Sequence, residues 1–209
     1  MQGSKMIDKN QSMLTALTGV FFISGFSALI YQICWQRILF TGFGVDLTSI
    51  TVIVSVFMAG LGVGAYFGGR IADHFKHSLL ILFCLIELGI GCFGLLSAKV
   101  IYFVQNVFIQ SNMLTLAFVT FLLLIFPTFL MGATLPILTS FFNRYIFNIG
   151  DSIGTLYFYN TLGAAMGALA TGFILFNYLT LSQTIYLAAI LNIFIASIVL
   201  LKYGRKFNE

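Results

Sequence analysis

The stretch Gly64–Ser78 reads GAYFGGRIADHFKHS. A glycine-rich apolar run ends there in Arg70, Asp73, His74, Lys76 and His77, and Leu79–Gly91 then resumes as LLILFCLIELGIG. In a water-soluble domain such a charge island is an ordinary solvated loop. Both flanks here are too long and too apolar for that reading, so the island is a short connection between two helices that cross a bilayer.

Composition extends the same conclusion to the whole chain. Of 209 residues, 60% are hydrophobic and 8% are charged, against about 25% charged in an ordinary globular protein. The apolar runs exceed the roughly 20 residues that a spanning helix needs. They show no strict alternation, which argues against the strands of a closed barrel. The fold class is therefore an all-α polytopic membrane protein with six transmembrane helices. The spans are expected at about 13–36, 47–69, 79–98, 113–141, 153–176 and 182–201. This divides the chain into a tail over 1–12, a six-helix domain over 13–201 and a second tail over 202–209. The apolar run after Lys5 and Lys9 is too long for a signal peptide and is read as a retained first span. The stretch VIYFVQNVFIQ, Val100–Gln110, is expected to rest at the membrane surface. Pro127 is expected to kink the fourth span.

Charge sets the orientation. Six crossings place Lys5, Lys9, Arg70, Lys76, Arg144, Lys202, Arg205 and Lys206 on one side, and leave Arg37 and Lys99 on the other. Basic residues collect on the cytoplasmic side, so both termini are expected inside a bacterial inner membrane. The net charge of +4 is accounted for by topology and anionic lipid, with no nucleic-acid partner.

Glycines add a second pattern. Gly60, Gly64 and Gly68 stand four residues apart in the second span, and Gly163 and Gly167 do so in the fifth. Such small-residue stripes let helices approach closely in lipid. The striped helix is the middle one of each three-span group, which is the pattern of a 3+3 inverted repeat.

Two resemblances follow from these motifs. The run from Gly64 to Lys76 resembles the cytoplasmic loop signature of major facilitator transporters, with Arg70 and Asp73 in the matching places. That resemblance implies that both side chains cap neighbouring helix ends; the alternative is a pair of topogenic loop charges. Over most of the chain, FFISGFSALIYQICWQRIL, FMAGLGVGAYFGGRIAD, LIELGIG, FPTFLMGATLPIL and GTLYFYNTLGAAMGALATGFIL resemble the membrane domain of spermidine-synthase-like fused membrane proteins. This implies a major-facilitator-like six-helix half. In that family an aminopropyltransferase-like domain commonly follows; no such stretch occurs in these 209 residues, and Gln32 stands where the family pattern has Glu. The resemblance therefore marks the membrane module without conferring catalysis, and the chain is expected not to be an enzyme.

Candidate chemistry is sparse. Of six acidic residues, Glu87 alone lies well inside a span, about 12 Å from the basic end at the helical rise. A charge at that depth must face the bundle and find a partner. Asn160 lies about 10 Å in from the same side, with Tyr157 beside it, so a Glu87–Asn160–Tyr157 cluster is one arrangement. It reads either as part of a solute cavity or as an interhelical bond that holds the bundle. Gln32 likewise either lines a cavity or bonds another helix. Tyr31 and Trp35 suit an interfacial aromatic belt, and Arg37 suits a pair with Asp46. Cys34, Cys84 and Cys92 read as buried small hydrophobes. His74 and His77 lie in the loop, so no metal site and no cofactor are expected. Three function classes remain. The first is a structural or accessory membrane subunit that docks a membrane or soluble protein. The second is a half-size, major-facilitator-like transporter of a small, cationic, polyamine-like solute, working as a homo-oligomer, namely a dimer. The third is a membrane enzyme in its own right, which the missing catalytic constellation disfavours.

Overall fold

The computed structural model describes residues 2–43, 47–108, 110–146 and 148–203, and the side chains of 11–40, 50–108, 110–112, 114–146 and 148–203. The described chain is helical: α1 (Gln2–Phe43), α2 (Leu47–His74), α3 (Leu79–Val107), α4 (Met113–Phe142), α5 (Ile149–Ala170) and α6 (Leu181–Tyr203). After α5 the helix widens into a π-helical turn, Thr171–Leu175, and closes with Phe176–Tyr178. Six segments are long and apolar enough to cross a membrane, and their outward apolar side chains suit contact with lipid.

Local signals set the helix starts. Asn112 accepts from the Thr115 amide at 2.8 Å, and Asn148 accepts from the Gly150 amide at 3.0 Å. Thr180 and Gln183 form a reciprocal capping box before α6: the Thr180 amide donates to Gln183 Oε1 at 2.9 Å and the Gln183 amide to Thr180 Oγ1 at 3.3 Å. Each cap satisfies backbone donors that the first helical turn leaves open.

Three expectations change here. Val100–Gln110 is not a separate surface segment, because α3 runs on to Val107. No glycine or proline interrupts it after Gly94, and the buried Gln105 amide donates to the Ile38 carbonyl at 3.0 Å. Tyr31 and Trp35 are not a belt: both are fully buried, stacked at 5.0 Å, and Trp35 Nε1 donates to Ser97 Oγ at 3.0 Å. Cys92, unlike Cys34 and Cys84, is exposed. Arg37 lies 4.8 Å over the Phe176 ring, and Asp46 lies outside the described residues. α4 continues through Pro127 and Pro136. Thr128 Oγ1 donates to the Leu124 carbonyl at 2.8 Å one turn below it.

Contacts fix the helix directions. Ser24 meets Glu87 and Trp35 meets Ser97, so α1 and α3 run parallel. Gly64 faces Phe129 and Gly68 faces Ala133, while Gly163 faces Phe22 and Gly167 faces Phe26; α2 is thus parallel to α4, and α5 to α1. Phe93 touches Phe126 and Gly89 approaches Leu130, which makes α3 and α4 antiparallel. Arg70, Lys76 and Arg144 consequently share one end of the bundle, and α6, which starts after a two-residue connection from Tyr178 and so turns back, brings Lys202 to the same end.

The closest packing occurs in pairs, α2 with α4, α1 with α5 and α3 with α6. Glycine makes the first two pairs close. A Cβ on Gly64 would strike the Phe129 carbonyl, and one on Gly132 of the facing helix would strike the Leu61 carbonyl. A Cβ on Gly163 would strike the Phe22 carbonyl, and one on Gly25 the Asn160 carbonyl. The two sets match contact for contact, with α1 standing where α4 does and α5 where α2 does.

Candidate functional site

Glu87 sits on α3 at the middle of this arrangement and is 0% exposed. Ser24 Oγ, from α1, donates to Glu87 Oε1 at 2.6 Å. Asn192 Nδ2, from α6, donates to Glu87 Oε2 at 2.6 Å. One carboxyl group thus ties three helices, and each of its oxygens has a neutral donor. Removal of a charge from water without such partners costs several kcal/mol, so the two short bonds are the condition for its burial.

Beside this triad lies a cavity of about 90 Å³, walled by all six helices. Ser24, Gln32, Thr134, Asn160 and Asn192 supply its polar wall, and Phe57, Leu61, Ile90 and Met131 its apolar wall. Among the described residues, no Lys, Arg or His lines it.

The residues singled out in the sequence are distributed as follows. Gln32 and Asn160 share the cavity, and Asn160 Nδ2 donates to the Phe21 carbonyl at 3.1 Å. Glu87 stands behind the cavity wall, bonded to Ser24 and Asn192 rather than to Asn160. Tyr157 is 60% exposed on the outer face of α5 and lines no part of the cavity. Gly60, Gly64, Gly68, Gly163 and Gly167 all lie at helix crossings. Arg70 lies 4.4 Å over the Tyr66 ring. Asp73 is exposed and, with Lys76, Asn143 and Arg144, borders a surface pocket of about 270 Å³ at the basic end. Among the described residues no group of three His, Cys, Asp or Glu side chains is placed to hold a metal ion.

Ser24 and Asn192 are the functional residues that sequence reasoning missed. A depth count would have found Asn192. It lies 11 residues from Tyr203, the last residue of α6, about 16 Å along the helix and near the level of Glu87. Ser24 carried no signal, since a serine in a spanning helix ordinarily bonds its own backbone.

No family model matches the chain, and no solved structure matches it. It is similar to the polyamine aminopropyltransferase of Oceanobacillus iheyensis, with 24% identity over 159 residues. The match covers 76% of this chain and 30% of that protein. It thus spans less than a third of the length of the relative.

Proposed function

We propose that this protein is an integral membrane accessory subunit, a major-facilitator-like six-helix half that packs through α5 against a protein partner in a bacterial inner membrane. The observation that carries this reading is the character of α5. It is the least apolar and the least buried of the six spans; Tyr157 and Thr161 stand on its outer side, while Thr155 and Tyr159, on the other flank, are exposed beside a pocket formed with α1 and α4. Hydroxyl groups on a spanning helix are better satisfied by another protein than by lipid. The two matching contact sets support the 3+3 repeat, and the shared end of Arg70, Lys76, Arg144 and Lys202 supports a cytoplasmic position for both tails. The closed bonding of Glu87 supports a role in holding the bundle.

The similarity to a polyamine aminopropyltransferase supports a partner that carries out aminopropyl transfer, with this chain supplying membrane attachment and no catalytic group of its own. A photo-crosslinking residue at Tyr157 tests the reading, with the exposed Leu96 of α3 as control. Cross-links from 157 to a polypeptide that bears an aminopropyltransferase unit are expected, with none from 96. Cross-links from 157 to a second copy of this chain would instead favour the half-size transporter, the reading to which the cavity among the six helices lends support.

A further inference from the structure

The cavity next to Glu87 has a chemical bias that its neighbours impose. Ser24 spends its only hydroxyl hydrogen on Glu87, and Thr134 donates its own to the Met131 carbonyl at 2.7 Å. Asn160 turns its nitrogen to the Phe21 carbonyl. Asn192 turns its nitrogen to a Glu87 carboxyl oxygen. Oxygen is what remains. Asn192, 1% exposed, is a wall of the cavity, and its Oδ1 is buried with no hydrogen-bond partner. Asn160 keeps its amide oxygen, and Gln32, with no partner among the described residues, can rotate an oxygen inward. Among the described residues, the ionisable group next to these acceptors is Glu87, one side chain behind them.

We infer that this cavity is a binding site for a single ammonium group, either ammonium itself or the end of a primary alkylammonium. Such a group offers only donors and matches a set of oxygens with no competing cation. Its charge is balanced by Glu87 through the Ser24 and Asn192 bridges, where desolvation would otherwise exclude it. A volume of about 90 Å³ is several times the roughly 10–15 Å³ needed to hold one water, room for a small polar head.

Trp35 is the only tryptophan of the chain and lies 6.0 Å from the ring of the cavity residue Phe57, so its emission reports on the site. The purified protein in lipid nanodiscs is titrated with methylammonium chloride, and with tetramethylammonium chloride at equal ionic strength. Methylammonium is expected to give a saturable change in emission, and tetramethylammonium, which has no N–H, none. In E87Q the new amide donates to Asn192 Oδ1, which turns the Asn192 nitrogen toward the cavity, so apparent affinity falls at least tenfold. Q32L, at the half-buried rim, lowers affinity without touching the triad. Identical curves for the two cations, or wild-type affinity in both folded variants, overturn the inference.

Discussion

Asn192 donates to Glu87 across 2.6 Å, and this is the polar contact at which α6 crosses α3. Its energetic meaning lies in the pairing. Replacement of the carboxyl by an apolar side chain orphans the Ser24 hydroxyl and the Asn192 amide together, at about 1–3 kcal/mol for each buried group left unsatisfied. Glu87→Leu should therefore lower the thermal midpoint in mild detergent by several degrees. Glu87→Gln preserves both bonds after one amide rotation and should melt close to wild type. Equal loss in the two variants would show that the charge, not the bonding, holds the bundle.

The glycine crossings make a comparison inside one helix. Gly64→Ala places a methyl group on the Phe129 carbonyl, whereas Gly62 has open space around its Cβ position. Overpacking of a closed interface costs about 1–3 kcal/mol, and a glycine-to-alanine change at a free helical site gains about 0.5–1 kcal/mol. Gly64→Ala and Gly163→Ala should thus destabilise, while Gly62→Ala should not; detergent unfolding monitored by circular dichroism separates them.

Trp35 gives a prediction about depth. A belt tryptophan is quenched by lipids that carry bromine or spin labels near the headgroup. Trp35, bonded to Ser97 inside the bundle, should be quenched little by labels at any depth. Ser97→Ala leaves the indole N–H without its acceptor, at about 1–3 kcal/mol, and Trp35→Phe on that background should cost less than Trp35→Phe alone.

The direction of threading is accessible by chemistry. In a variant without native cysteines, Lys76→Cys and Arg144→Cys should react with a membrane-impermeant maleimide in inverted vesicles and not in intact cells. Labelling of either from outside would reverse the orientation and with it the side from which Glu87 is approached.

The spanning helices were legible because lipid imposes a simple condition, a long apolar run closed by charge or a turn residue. Glu87 was legible for the same reason, as a costly charge in an apolar run. Its partners were not. Ser24 and Asn192 are 63 and 105 positions away from it, and periodicity says which face a residue occupies without saying which helix it meets. Tyr31 and Trp35 misled because aromatic residues suit an interfacial belt and a packed core equally well, and only Ser97 decides between them. Val100–Gln110 misled because its single flanking charge, Lys99, suggested an exit from the membrane, while Gln105 in fact continues the α1–α3 seam.

That seam has a consequence for how the protein is made. Ser24 enters the bilayer long before Glu87 exists, and Glu87 waits a further 105 residues for its last donor. At ordinary synthesis rates this is roughly 5–20 s, during which a carboxyl group stands in the insertion machinery with half its bonds missing. Arrival of the sixth span ends that wait, so a ribosome stalled before Asn192 should leave a nascent chain that quality-control proteases recognise and remove.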